Sequence, residues 1–252
     1  MGTTIKVRGI IIGEMSMGEQ DKRVTILTKE AGKLQTIAKG AKTSRGKLSG
    51  STQLFYYGDF LLEKGRTFYY IREAQVIESF SSIRQDFCMV SYGAFMLEAA
   101  AVLSLDGQEN QDLLLLLLRG LLSLKAEDQD ARTVAMTFAF RSVSDNGFRP
   151  QVSHCDICGR AADARPAWSF ITGRGAMVCP DCRVRNQEYC KAVSPPVARA
   201  LEYIVTAPAD RVYRFSILSE YRQELAEVVE EYVTTHTGQT FQSLIFLKNN
   251  LS

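Results

Sequence analysis

Short runs of alternating apolar and polar residues fill the chain as far as Phe80, and beyond it apolar residues recur every three or four positions. Alternation sends successive side chains to opposite faces of a strand, so the first pattern predicts β-structure and the second predicts amphipathic helices. Strands are expected near Ile5 to Gly13, Arg23 to Thr28, Lys33 to Ala38, Gln53 to Glu63 and Thr67 to Phe80. Breaks fall at Gly18 to Asp21, Glu30 to Gly32, Gly40 to Ser51 and Lys64-Gly65, where turn-forming residues gather. Five strands in about 80 residues suit a small closed barrel, and the five-stranded Greek-key barrel called the OB-fold has this strand count. An SH3-like barrel fits the count as well, because strand order is not written in a single sequence.

After Phe80, helical spacing runs through Met89, Tyr92, Phe95, Met96, Ala99, Val102 and Leu103, then through Gln111 to Leu124 and Arg132 to Val143. These segments predict a helical bundle that stops at Asn146-Gly147-Phe148-Arg149-Pro150. Ser194-Pro195-Pro196 restarts a helix, with serine as N-cap and proline in the first turn. A further helix is expected from about Ser216 to Thr235, with Leu218, Tyr221, Leu225, Val228, Val229 and Tyr232 on one face and Gly238 as terminator. Glu220, Glu224, Glu227, Glu230 and Glu231 fall mostly on its other side, which reads as a solvated face. The fold class is therefore α+β: an N-terminal barrel at 1–80, then a helical domain at 81–252 that carries a cysteine module at about 150–190.

A chain of 252 residues has room for two domains, and a hydrophobic content of 46% excludes disorder as its main state. The six leucines from Leu113 to Leu118 are followed by Arg119-Gly120 and fall far short of the roughly 20 apolar residues a membrane span needs. Lys6 and Arg8 interrupt the first apolar run and no small-residue cleavage site follows, so no signal peptide is expected and the protein is placed in the cytoplasm. Thiols there stay reduced, which favours metal binding over disulfides.

Two tight cysteine pairs, Cys155-Asp156-Ile157-Cys158 and Cys179-Pro180-Asp181-Cys182, are separated by 20 residues. Two residues between thiolates let one short turn aim both sulfurs at one ion, and the intervening stretch is long enough for a hairpin that brings up the second pair. The spacing predicts one structural zinc ion held by Cys155, Cys158, Cys179 and Cys182, with a left-handed turn at Gly159. A Cys-x-x-Cys redox motif is the competing reading, but it needs one pair opening a helix in a βαβ setting. His154 and Cys190 are spare ligands outside the pair spacing. Four thiolates leave no coordination position for water, so the ion would hold a fold and not a reaction. The two histidines, His154 and His236, form no His-x-x-x-His pattern, and Glu19 with Asp21 reads as a turn, so no enzyme is expected.

The net charge of +2 hides a segregation: residues 1–80 carry 13 Lys or Arg against 8 Asp or Glu, whereas 81–150 carry 6 against 9. Between Glu30 and Asp59 no acidic residue occurs, and Lys33, Lys39, Lys42, Arg45 and Lys47 all fall there. Such a stretch between barrel strands is an electrostatic track for the phosphates of nucleic acid. Ala41 to Lys47 brushes against a P-loop pattern but lacks its first glycine, its Ser or Thr and its following helix, which rules out ATP there. Phe55, Tyr56, Tyr57, Phe68, Tyr69 and Tyr70 lie on adjacent predicted strands, where outward rings stack bases at roughly 1 to 3 kcal/mol each. Period two sets Tyr56 and Tyr70 opposite Phe55 and Tyr69 but does not say which pair faces out.

The strings Gly9 to Ile12, Gly18-Glu19-Gln20-Asp21-Lys22-Arg23-Val24-Thr25-Ile26-Leu27-Thr28, Gly32-Lys33 and Ala38-Lys39-Gly40-Ala41-Lys42 closely resemble the N-terminal barrel of the RecO family of bacterial recombination mediators. The order of barrel, helical bundle, four-cysteine insertion and the closing Ser243 to Leu247 stretch also looks like RecO. The resemblance implies a non-enzymatic DNA-repair factor that binds single- and double-stranded DNA through an OB-fold and anneals complementary strands. It further implies work with RecR and single-stranded-DNA-binding protein (SSB) to place RecA on gaps, in the cytoplasm and at the nucleoid. Basic positions after the third barrel strand touch DNA in the family and correspond to Lys39, Lys42 and Arg45; at Gln35 this chain is uncharged where some relatives are basic. The rival expectation is a zinc-containing protein-interaction module with no direct DNA contact.

Overall fold

In the computed structural model, which describes residues 3–44, 46–162 and 168–250, the chain divides into two compact units, Met1–Leu121 and Leu122–Ser252. The first unit opens with β1 (Thr4–Met17), β2 (Asp21–Thr28), β3 (Gly32–Ala38), β4 (Tyr57–Lys64) and β5 (Tyr69–Glu78). They close into a barrel of order β1-β2-β3-β5-β4, with β4 returning to β1. Every seam is antiparallel except β3 with β5, which pair in parallel at Thr36 with Tyr69 and Ile37 with Tyr70. That order and parallel seam are those of the OB-fold and exclude the SH3-like alternative. Alternation drives closure: Val7, Ile11, Val24, Ile26, Leu34, Phe60, Leu62 and Ile71 all turn inward and bury one another.

The barrel departs from the expected strand limits by more than two residues in two places. β1 runs on to Met17, because its second half pairs with Asp21 to Thr25 of β2 beyond a bulge between Ile11 and Gly13. β4 starts at Tyr57 instead of Gln53. Phe55 sits in the left-handed region at φ 72° with its ring 1% exposed, and a Cβ built on Gly93 would meet that ring at 2.9 Å. The ring is seated against the helix at the one place a side chain is missing, and this packing overrides local strand preference. The backbone bonds from Phe55 N–H to Ile11 O (3.1 Å) and from Ile11 N–H to Tyr56 O (2.9 Å) fasten the segment to β1.

The first unit continues with α1 (Ser81–Gln85), α2 (Phe87–Leu103) and α3 (Gln111–Leu124), whose last three residues fall in the second unit. The Asp86 carboxylate caps α2 by accepting from Met89 N–H at 2.7 Å, and α2 packs against β1. Within α3, Leu113, Leu114, Leu116 and Leu117 are buried, and among the described residues no helix is long and apolar enough to cross a membrane.

The second unit contains α4 (Ala131–Asp145), β6 (Trp168–Ile171), β7 (Ala176–Val178), α5 (Pro180–Arg183), β8 (Lys191–Val193), α6 (Pro195–Thr206), α7 (Ser219–Thr237) and α8 (Gln242–Asn250). The three strands form a sheet of order β7-β6-β8, and α4, α6 and α7 pack together. Sheet and helices meet in an aromatic cluster in which Tyr232 lies 4.9 Å from Phe140 and 5.8 Å from Phe170, centroid to centroid. Burial pushes the Tyr232 hydroxyl pKa up, and that hydroxyl donates to the Phe148 carbonyl. α7 ends at Gly238, left-handed at φ 64°, as its position predicts. It begins three residues later than expected, however, and Leu218 is 67% exposed ahead of the first turn instead of lining the apolar face. Ser194 occupies the N-cap of α6, yet its hydroxyl has no partner among the described residues: Pro195 and Pro196 have no N–H, and the N–H of Val197, in the third position, does not reach it. Its own N–H goes instead to Glu224 Oε1 at 2.6 Å.

Candidate nucleic-acid interface and metal centre

The segment from Lys39 to Tyr56 joins β3 to β4 as a chain of turns. Thr43 N–H bonds Gly40 O at 3.1 Å, Gly46 N–H bonds Thr43 O at 3.0 Å, and Ser49 N–H bonds Gly46 O at 3.0 Å. Ala41 and Leu48 plug into the barrel core, and these apolar anchors hold Lys42 and Lys47, beside them, outward. The segment is also tied to the turn between β1 and β2: Lys42 N–H reaches Gln20 O (2.9 Å), Lys42 Nζ reaches Gly18 O (3.0 Å) and Gly40 N–H reaches Asp21 Oδ1 (2.8 Å). Asp21 is thereby a turn-holding residue.

Lys39, Lys42 and Lys47 are exposed, and no carboxylate pairs with them among the described residues. Arg45 lies outside the described residues. Lys33 has different work: its side chain is only 22% exposed, and Nζ donates to Ala101 O at 2.9 Å while lying 3.7 Å from Asp106. Ala101 is in the last turn of α2, where a cation meets the negative end of the helix dipole.

Of the loop cations, Lys39 follows β3 directly and borders the outer face of β3 and β5 at Tyr70. Register sets Arg23 beside Ile37, Thr25 beside Gln35 and Ile37 beside Tyr70. The Thr25 hydroxyl donates to Gln35 Oε1 at 3.3 Å, and Lys39 Nζ stands 5.0 Å over the Tyr70 ring. The aromatic residues sort by side: Phe55 is buried, Tyr69 packs on the barrel core, and Tyr56 is covered by the Arg84 guanidinium 4.7 Å from its centroid. Tyr70, next to the inward Ile71, faces out. Arg23 lies outside the stretch that the charge pattern marks, and the alternation signal that reveals it is its place beside the inward Val24.

The four cysteines converge in the second unit. The first knuckle is shaped by Gly159, at φ 73°, whose N–H bonds Cys155 O at 2.9 Å, while Cys155 N–H bonds Arg160 O at 2.7 Å. β6 and β7 form the expected hairpin, and Cys179 follows β7 directly, so the hairpin delivers the second knuckle to the first. All four sulfurs lie within 4.8 Å of one another, with Cys158 and Cys179 Sγ at 3.7 Å. A tetrahedral ion with 2.3 Å bonds to sulfur sets its ligands about 3.8 Å apart, so the cluster has the dimensions of a thiolate metal site.

The electrostatics agree. Burial alone would raise the Cys155 thiol, but backbone N–H groups of Cys179, Cys158 and Ile157 point at it and bring its pKa down to about 6. Desolvation, and after it the three neighbouring sulfurs, push Cys182 up to about 12. Arg160 and Asp181 join the two knuckles at 2.7 Å, and Arg174 pairs with Asp156. Among the described residues His154 is not in the cluster, its Nδ1 lying 3.2 Å from Ser153 Oγ, and neither is Cys190. Four soft thiolates can hold a metal ion of the kind that prefers sulfur.

The family model described as Recombination protein O N terminal matches residues 1–80, and the one described as Recombination protein O C terminal matches residues 84–245. The chain is 32% identical to the DNA repair protein RecO of Acetivibrio thermocellus over 97% of its own length and 96% of the relative's. It is 28% identical to that of Alkaliphilus metalliredigens over 97% and 98%, and 29% identical to that of Bacillus pumilus over 96% and 93%. Matched along both halves by these models and end to end by these relatives, the chain belongs to the RecO family of DNA-repair proteins.

Proposed function

We propose that the chain is a recombination mediator that binds single- and double-stranded DNA through its barrel and anneals complementary strands. In this reading it also acts with RecR to assist RecA loading on SSB-coated single strands, at the nucleoid. The observation that carries it is the trio of exposed ammonium groups of Lys39, Lys42 and Lys47, which no carboxylate pairs among the described residues, with Lys39 set over Tyr70 on the outer side of the barrel. Arg45, between them in sequence, joins the proposed contacts, whereas Lys33 is assigned to holding α2. Phosphate neutralisation by three such cations releases counterions, and log affinity for a single strand should fall against log salt with a slope steeper by about 2 than that of a protein lacking them. Substituting Lys39, Lys42 and Lys47 together by Glu should abolish binding and annealing. Binding at wild-type affinity in that variant would sink the assignment.

For the cysteine cluster we propose one zinc ion per chain, bound by Cys155, Cys158, Cys179 and Cys182 as a closed structural site. A second reading, in which the zinc module meets protein partners and the chain makes no direct DNA contact, draws support from Ile157, Val184 and Tyr189, apolar side chains 51%, 88% and 71% exposed on that module. The two separate by experiment: DNA binding by purified protein without RecR or SSB, lost in the lysine variant, belongs only to the first.

A further inference from the structure

We propose that Tyr70 is a base-stacking platform, screened in the unbound protein by the Lys39 ammonium, and that this pair makes the barrel face prefer unpaired strands. The inference rests on the DNA-binding reading and specifies its contact chemistry.

Of two adjacent tyrosines, Tyr69 turns into the barrel and Tyr70 turns out, so only Tyr70 offers ring surface to a ligand on this side. Its position is held from below. A Cβ on Gly65 would lie 2.6 Å from Tyr70 Cε2, 3.2 Å from Cδ2 and 2.7 Å from Phe68 O, so the ring edge rests on the bare backbone of the β4–β5 turn. That turn is closed by the bond from Gly65 N–H to Phe68 O at 3.0 Å. A ring seated on backbone loses little rotamer freedom when a base arrives.

Lys39 reports on the exposed side of the ring. The ammonium stands 5.0 Å from the centroid, over the electron-rich face of the half-buried Tyr70, and among the described residues no carboxylate holds it there. A cation–π contact at an exposed site is weaker than the phosphate contact that a nucleic acid offers the same group. Binding therefore moves Lys39 from ring to phosphate and frees the face for a base. In register the buried Ile37 lies between Tyr70 and Arg23, so a strand crossing this face would meet the ring and the guanidinium, and Glu63, opposite Tyr70, is engaged by Arg72. In a duplex the bases stack on one another and present no face to the ring, whereas phosphates are offered by duplex and single strand alike.

The test measures affinity for a fluorescent oligothymidylate and for a duplex of equal length across a salt series. Tyr70→Ala should weaken single-strand binding on the order of tenfold with an unchanged salt slope, and leave duplex binding as it was. Tyr70→Phe should keep wild-type affinity, and Lys39→Gln should lower the slope by about 0.7. Because Tyr70→Ala removes a packed ring, a second measurement uses the unaltered protein: irradiating it with an iodouracil-substituted single strand should yield an adduct on Tyr70. Equal loss of single-strand and duplex binding in Tyr70→Ala, no loss, loss in Tyr70→Phe, or an adduct elsewhere overturns the platform. If the triple lysine variant loses binding while Tyr70→Ala keeps it, the platform alone falls; if the triple variant binds undiminished, the DNA-binding reading falls with it.

Discussion

Two lysines six residues apart show how far a residue's role depends on what surrounds it. Lys39 and Lys33 lie in the same carboxylate-free stretch of sequence, but one ammonium is open to solvent over a tyrosine ring and the other is spent on the last turn of α2. Lys33→Ala should therefore lower stability by about 1 kcal/mol in urea unfolding, the usual worth of a charged bond to a helix C-terminus, while the salt slope of DNA binding stays at the wild-type value. Lys39→Gln should do the reverse. The difference was not legible in the sequence, because the partner carbonyl at Ala101 is 68 positions away from Lys33 and only the closed barrel brings them together. The outward turn of Tyr70 was half legible: parity with Tyr69 followed from period two, but the side facing out was settled only by Ile71 joining the core. Gly65 is a sharper case, since the chain shows a turn glycine where the structure shows a seat for the Tyr70 ring. Gly65→Ala should weaken single-strand binding and lower the melting temperature together, because its Cβ meets both Phe68 O and the ring.

Among the elements, those governed by a local rule were read correctly and those governed by tertiary packing were not. The five strands and the helices α2, α3 and α4 announce themselves by period, and α2 and α4 have aspartate caps at Asp86 and Asp130. The cysteine knuckles were legible for a similar reason: Cys-x-x-Cys and Gly159 encode their turn within five residues. By contrast, residues 53–56 carry strand-like aromatics but bend around Phe55, whose burial depends on a helix about 40 positions later, and no expected helix covers α8. A pH effect belongs at this scale, where β8 meets α7. Lys191, and then Gln223, hydrogen-bond Glu227 and hold its carboxyl below the ordinary range. A carboxyl with a depressed folded pKa contributes stability that is fully present above its unfolded value of about 4 and is lost as pH falls through the folded one. Glu227→Gln should consequently destabilise at neutral pH, by under about 1 kcal/mol because both side chains are partly exposed, and the gap from wild type should close as the solution is acidified.

On the scale of the whole molecule, two chemistries are kept in two units. Every proposed DNA contact, including Lys39, Lys42, Lys47 and Tyr70, lies in Met1–Leu121, whereas all four clustered thiols lie in Leu122–Ser252. The charge segregation visible in the sequence marks the barrel but not this division: the excess of five cations lies over 1–80, and the excess of three anions that follows falls within 81–121, in the same unit. Metal removal provides the test, because the binding energy of a structural ion is folding energy for the unit that holds it and for no other. Elemental analysis should find about one zinc per chain in the native protein and none in Cys179→Ser. A strong chelator should strip the ion, abolish the slow amide exchange of β6 and β7, and leave that of β2 and β3 unchanged. The chelated protein should also keep its affinity for oligothymidylate and its salt slope, since neither the lysines nor the tyrosine depends on the thiolate site for position. Loss of single-strand binding in step with loss of metal would mean that the DNA path runs through the second unit as well, and Arg183 and Arg185, exposed beside Cys182, would then be the first residues to substitute.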